Sequence, residues 1–172
     1  FQGIRDNLIQ GYANKYALQH FTRNGMLSMD WFSFQSDQKG SRFMPTPTLD
    51  EKTPVTIFYG NSQGGILGAG YTALSGTTGL IDRGVLGVPG TPFALIMSRS
   101  LEFQGYDALM LLNFYNNRHV RILLSLVQMA WDPVEGSGAL ATPVQEPFPR
   151  MLLQAGLGDV TVPTISAEAL AR

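Results

Sequence analysis

The chain has 172 residues, 44% of them apolar, which fits one domain with a substantial core. A net charge of −1 with no basic block excludes nucleic acid as a natural partner, and the absence of cysteine removes disulfides, metal thiolates and a cysteine nucleophile. Only 15% of residues are charged, against roughly 25% in soluble domains, which predicts a surface partly covered by something else.

No apolar run reaches the ~18 residues that span a bilayer. The longest, Ile122 to Trp131, is interrupted by Ser125 and Gln128, so no transmembrane segment is predicted. No signal peptide is visible, and the compartment stays open, with secreted and cell-envelope locations among the choices. The chain starts at Phe1 rather than Met, inside a helical pattern, which reads as a processed product or a fragment.

In chain order, Ile4, Leu8, Ile9, Tyr12, Tyr16 and Phe21 recur at three- to four-residue spacing and predict a helix over 3–22, stopped by Gly25. His20, near its end, reads as a surface or capping residue. Residues 23–53 form a long connection in which Trp31, Phe32 and Phe34 either line a pocket or make a small satellite core; Gly40, Pro45 and Pro47 argue against a regular element in its second half.

The stretch that follows carries the chemistry. Val55 to Tyr59 is β-branched and aromatic, as a buried strand requires. Gly60-Asn61-Ser62-Gln63-Gly64 matches G-x-S-x-G, and Ile66, Leu67, Ala69, Ala73 and Leu74 can line one face of a helix. A strand turning sharply into a helix leaves the turn residue strained, with its side chain thrown out above the sheet. Gly60 and Gly64 lack a Cβ, so strand and helix can approach closely around it. Ser62 would be exposed for attack. The N–H of Gln63, at the positive end of the helix, would be the first donor to an oxyanion. At this point the chain resembles the α/β-hydrolase family.

Gly76 and Gly79 end the helix, and Arg83 to Pro89 reads as a second buried strand. Strand, helix and strand at this spacing make a βαβ unit, hence a parallel sheet. Pro89-Gly90-Thr91-Pro92 closes the strand's carboxyl end, where ligands bind in such sheets. Residues 93–131 read as two or three helices: Leu109, Leu112 and Phe114 mark one, and Val120, Leu123, Leu124, Val127 and Trp131 the next, which Asp132-Pro133 terminates. Residues 133–149 read as irregular. The segment 98–148 is either a helical cap over the site or a set of helices flanking the sheet. His119, beside Arg118, reads as exposed.

Arg150 to Gly156 reads as a third parallel strand, and Thr164 to Arg172 as the start of a helix capped by Thr164 or Ser166. Between them lies Gly158-Asp-Val-Thr-Val-Pro163. In α/β-hydrolases the triad runs Ser, then Asp or Glu, then His. Asp159, after a late strand in a Gly-Asp-x-x-Val-Pro setting, matches the family's acid; Asp82 and Asp132 are rivals less cleanly placed. The resemblance covers most of residues 50–172. The helix around Arg5-Asp-Asn-Leu-Ile-Gln10 is also loosely similar to the segment before the nucleophile strand of some bacterial lipase-like members.

The resemblance implies an α/β fold, here a partial domain over 1–172, and a serine hydrolase of carboxylic esters without cofactor or metal. Its roles fall on Ser62 as nucleophile, Gln63 as oxyanion donor and Asp159 as the acid orienting a histidine. No histidine follows Asp159, so the base is expected outside this chain, from the rest of a longer polypeptide or another subunit. The low polarity of 93–131 points to a lipid-like, apolar acyl or aromatic ester. Two other readings stay open: a non-catalytic hydrolase-like subunit of a larger assembly, and an acyltransferase using the same serine.

Overall fold

A computed structural model describes residues 2–26, 55–114, 116–141 and 149–172. The connection at 27–54, with Trp31, Phe32 and Phe34, lies outside them. Three strands, β1 (Ile57–Asn61), β2 (Arg83–Gly87) and β3 (Arg150–Gln154), form a parallel sheet in the order β1-β2-β3. This is an α/β arrangement, as the apolar runs and crossover spacing predict. The first strand begins later than its composition suggests: Val55 lies outside the ladder and the strand runs on to Asn61. The second and third stop at Gly87 and Gln154, short of Pro89 and Gly156.

The crossover from β1 to β2 is α2 (Gln63–Gly76), which lies on the sheet face formed by Phe58, Gly60, Gly84 and Leu86. Ile66, Ala69 and Ala73 are buried as expected, whereas Leu74 is half exposed. The core beneath α2 gathers Phe58, Ala69, Tyr71, Ile81 and Leu86, with Tyr12, Met151, Leu153 and Leu170 packed against it. Burying side chains of this size stabilises by about 1.5–3 kcal/mol each.

Helix α1 (Gln2–Asn24) packs against this layer in a different way from the one its spacing predicts. Ile4, Ile9 and Phe21 are about half exposed, and polar groups fasten the helix. The Tyr12 hydroxyl shares its one proton between the carbonyls of Leu67 (2.9 Å) and Val134 (2.7 Å). Gln19 Nε2 donates to Leu80 O at 2.8 Å, and its Oε1 accepts from Tyr71 Oη.

Between β2 and β3 run α3 (Phe93–Met97), a 3₁₀ turn (Leu101–Phe103), α4 (Gln104–Phe114), α5 (Asn117–Trp131), a second 3₁₀ turn (Asp132–Val134) and α6 (Gly136–Ala141). The last corrects the expectation that 133–149 is irregular. Gly138 passes so close to the Asp132 backbone that any Cβ would collide with it, so the glycines here permit a tight helical turn. The chain ends in α7 (Thr164–Ala171), whose N-cap is Pro163, not Thr164 or Ser166. The Thr164 hydroxyl instead donates to Gly156 O at 2.7 Å, and that of Ser166 to Pro163 O at 2.6 Å. Among the described residues no helix is long and apolar enough to cross a membrane.

Candidate functional site

Ser62 ends the strand and starts the helix at once. Its N–H donates to Gly87 O at 3.0 Å, one rung beyond the β1–β2 ladder. Its carbonyl accepts from Gly65 N (2.8 Å) and Ile66 N (2.9 Å), the first turn of α2. Serving both elements bends the backbone to φ 55 and ψ −120, a positive φ that costs a non-glycine residue on the order of 1–3 kcal/mol. The Ser62 side chain caps nothing, and the residue is half-buried.

Two glycines permit the bend. A Cβ on Gly60 would run into the Gly64 carbonyl, and one on Gly65 into the Gly87 carbonyl. A Cβ on Gly64 would meet nothing. The close approach that the sequence assigns to Gly60 and Gly64 is thus made at Gly60 and Gly65. Gln63 and Gly64 occupy the first turn of α2, where N–H groups have no acceptor within the helix. They carry the positive end of its dipole, beside Ser62.

Asp159 follows β3 in a turn opened by Gly158 at φ 71. Its Oδ1 accepts from Thr161 N (2.8 Å) and Val162 N (2.9 Å). These bonds fix the carboxylate in place and leave Oδ2 outside them. Because Asn61, Gly87 and Gln154 are in register at the ends of parallel strands, Ser62 and the loop that carries Asp159 both leave the sheet at its carboxyl edge, with β2 between their strands.

The rival acids have other work. Asp82 Oδ2, at the opposite end of β2, accepts from Thr56 N at 2.7 Å and pairs with Arg23 at 3.7 Å. Asp132 accepts from Gln128 Nε2 at 2.7 Å.

A cavity of about 450 Å³ opens beside Ser62. Ser62 and Gln63 form part of its wall, and so do Thr161 and Val162, the two residues bonded to the Asp159 carboxylate. Most of the remainder is apolar: Ile4 and Leu8 of α1, Ile66 and Leu67 of α2, Phe93 and Ile96 of α3, and Phe103, Trp131 and Val134; Ser100, Glu102 and Glu135 are its polar members. Phe93 is wedged edge-on against Trp131 and Phe103, with ring centres 4.6 and 5.8 Å away. The low polarity of 93–131 thus lines the space next to the serine.

His20 and His119 are both exposed, on α1 and α5, and neither lines the cavity. The chain has no third histidine. Among the described residues no group of histidines and carboxylates is placed to hold a metal ion.

Sequence reasoning missed one group in the cavity wall and one bonded behind it. Glu135 is 3% exposed and lines the cavity. It binds the Thr91 hydroxyl (3.0 Å), the Phe93 N–H (2.8 Å), Gln128 Nε2 and the Ser137 hydroxyl, and so joins α3, α5 and α6. Tyr12 was read as one more apolar position; burial, and next the charge of Glu135, push its pKa well up. An acid flanked by Pro133 and Gly136 carries the signature of a surface turn, and nothing in the spacing marks it as buried.

No protein-family model matches the chain, no curated protein matches it, and no solved structure matches it.

Proposed function

We propose that this chain carries the nucleophile, oxyanion donor and acid of a serine hydrolase that cleaves carboxylic esters with an apolar acyl group. The observation that carries the reading is Ser62 at a positive-φ strand-to-helix bend, opening on an apolar cavity. The motifs that resemble the α/β-hydrolase family support it further. In this mechanism Ser62 Oγ attacks the acyl carbon and its proton passes to a histidine supplied from outside this chain. The Gln63 N–H holds the oxyanion. Asp159 orients the imidazole and stabilises its charged form. The imidazolium then gives its proton to the leaving alcohol, and water releases the acyl group from Ser62. The helices between β2 and β3 act as the cap that forms the acyl pocket.

The test is hydrolysis of p-nitrophenyl esters of increasing acyl length by the natural polypeptide. The expected outcome is activity that Ser62→Ala abolishes and Asp159→Asn lowers on the order of 10⁴-fold. Full activity in Ser62→Ala overturns the reading. Residues 1–172 alone are expected to show negligible turnover, because neither histidine reaches the site.

A second reading, a non-catalytic hydrolase-like subunit, is favoured by the same missing histidine and by the apolar residues Ile57, Tyr59 and Leu152, each more than half exposed on one sheet face. An acyltransferase would differ only in the acceptor of the acyl group.

A further inference from the structure

The charged groups lining the cavity, among the described residues, are two carboxylates and no cation: Glu102 and Glu135. Glu102 is exposed, so water screens it. Glu135 is not: it is 3% exposed. Its Oε1 accepts from Thr91 Oγ1 at 3.0 Å and from Gln128 Nε2 and Ser137 Oγ; its Oε2 accepts from the Phe93 N–H at 2.8 Å. All four donors are neutral. The ion pairs among the described residues, Arg5–Asp6 and Arg23–Asp82, do not include it. Dipoles solvate this charge, and no cation among the described residues pairs with it. Its charge also acts on Tyr12 outside the cavity, where it adds to the effect of burial in raising that pKa.

We infer that the cavity sorts its ligands by charge, accepting an apolar chain whose end is neutral or cationic and rejecting an anion of the same shape. An anion entering this space gives up its hydration and meets an uncompensated negative charge through a medium of low polarity. A cation meets the same charge as a partner. At the separations a cavity of this size allows, the preference is on the order of tenfold to a hundredfold. This deepens the hydrolase reading and rests on it for its chemistry: the substrates are neutral or cationic esters, and the carboxylate product is repelled from the pocket that held its acyl chain. The binding preference itself needs no reaction at Ser62.

The experiment uses three amphiphiles of one chain length, decyltrimethylammonium, decanol and decyl sulfate, below their micelle concentrations. The chain has two tryptophans, so Trp31→Phe leaves Trp131, in the cavity wall, as the fluorescent reporter. Circular dichroism checks that the fold persists. The expected Kd for the ammonium is at least about tenfold below that for the sulfate, with decanol nearer the ammonium. That ratio should survive about 0.5 M NaCl, which screens surface charge but not a buried one. In Glu135→Gln it should fall to about threefold or less, while Glu102→Gln leaves it in place. If Glu135→Gln does not fold, the salt-resistant ratio in the wild-type protein decides. Equal binding of the three, no change in Trp131 fluorescence with any of them, a ratio lost in salt, or one unchanged in a folded Glu135→Gln overturns the inference. Ser62→Ala should keep the ratio. A protein that keeps it without hydrolysing esters loses the hydrolase reading alone; one that hydrolyses esters without it loses this inference alone.

Discussion

At Ser62 one backbone unit closes a sheet rung and opens a helix, so its surroundings are fixed by covalent geometry and by two close approaches. Gly65 faces the Gly87 carbonyl of the neighbouring strand, while Gly64 faces open space. Gly65→Ala should therefore push α2 off the sheet and lower stability by about 1–3 kcal/mol. Gly64→Ala should be neutral or stabilise by up to about 1 kcal/mol, since alanine is the better helix former. Urea denaturation of the two variants measures this, and equal losses would place the contact elsewhere. The motif's spacing made the bend at Ser62 and the close approach at Gly60 legible, because both act between chain neighbours. The contact of Gly65 was not legible, because its partner comes from a strand more than twenty residues away. Glu135 was hidden for the same reason: what buries it converges from α3, α5 and α6.

At the scale of elements, periodicity found α1 but misread what holds it. Its apolar positions are half exposed, and the hydroxyl of Tyr12 ties it to the carbonyls of Leu67 and Val134. Tyr12→Phe should cost about 1–2 kcal/mol, because the two carbonyls lose the one donor they share. It should also change the response to alkali. The folded-state pKa of Tyr12 lies above its ordinary 10.0, raised by burial and then by Glu135. The unfolded chain therefore loses this proton first as pH rises. The stability that Tyr12 contributes is complete below about pH 10 and is lost as pH climbs beyond it. Melting temperatures from pH 8 to pH 11 should fall less steeply for Tyr12→Phe than for the wild-type protein; parallel curves would remove Tyr12 from this role. The short α6 escaped sequence reading because Gly136 and Gly138 are turn residues by propensity, and only the Asp132 backbone beside Gly138 shows why a glycine is needed.

Across the whole molecule, three parallel strands put every carboxyl end at one edge, and both motif residues fall there. That much follows from strand–helix–strand spacing, since a parallel pair demands a crossover. The helices from Phe93 to Ala141 lie between β2 and β3, and several of them give the cavity its apolar wall. The opposite sheet face leaves Ile57, Tyr59 and Leu152 exposed, although parallel sheets are usually covered on both sides. The measurement that bears most directly on Ser62 as nucleophile is labelling of the natural polypeptide with a fluorophosphonate, followed by peptide mapping. The expected result is a single adduct on the peptide containing Ser62, absent from Ser62→Ala. An adduct on another serine, or none at all, would contradict it.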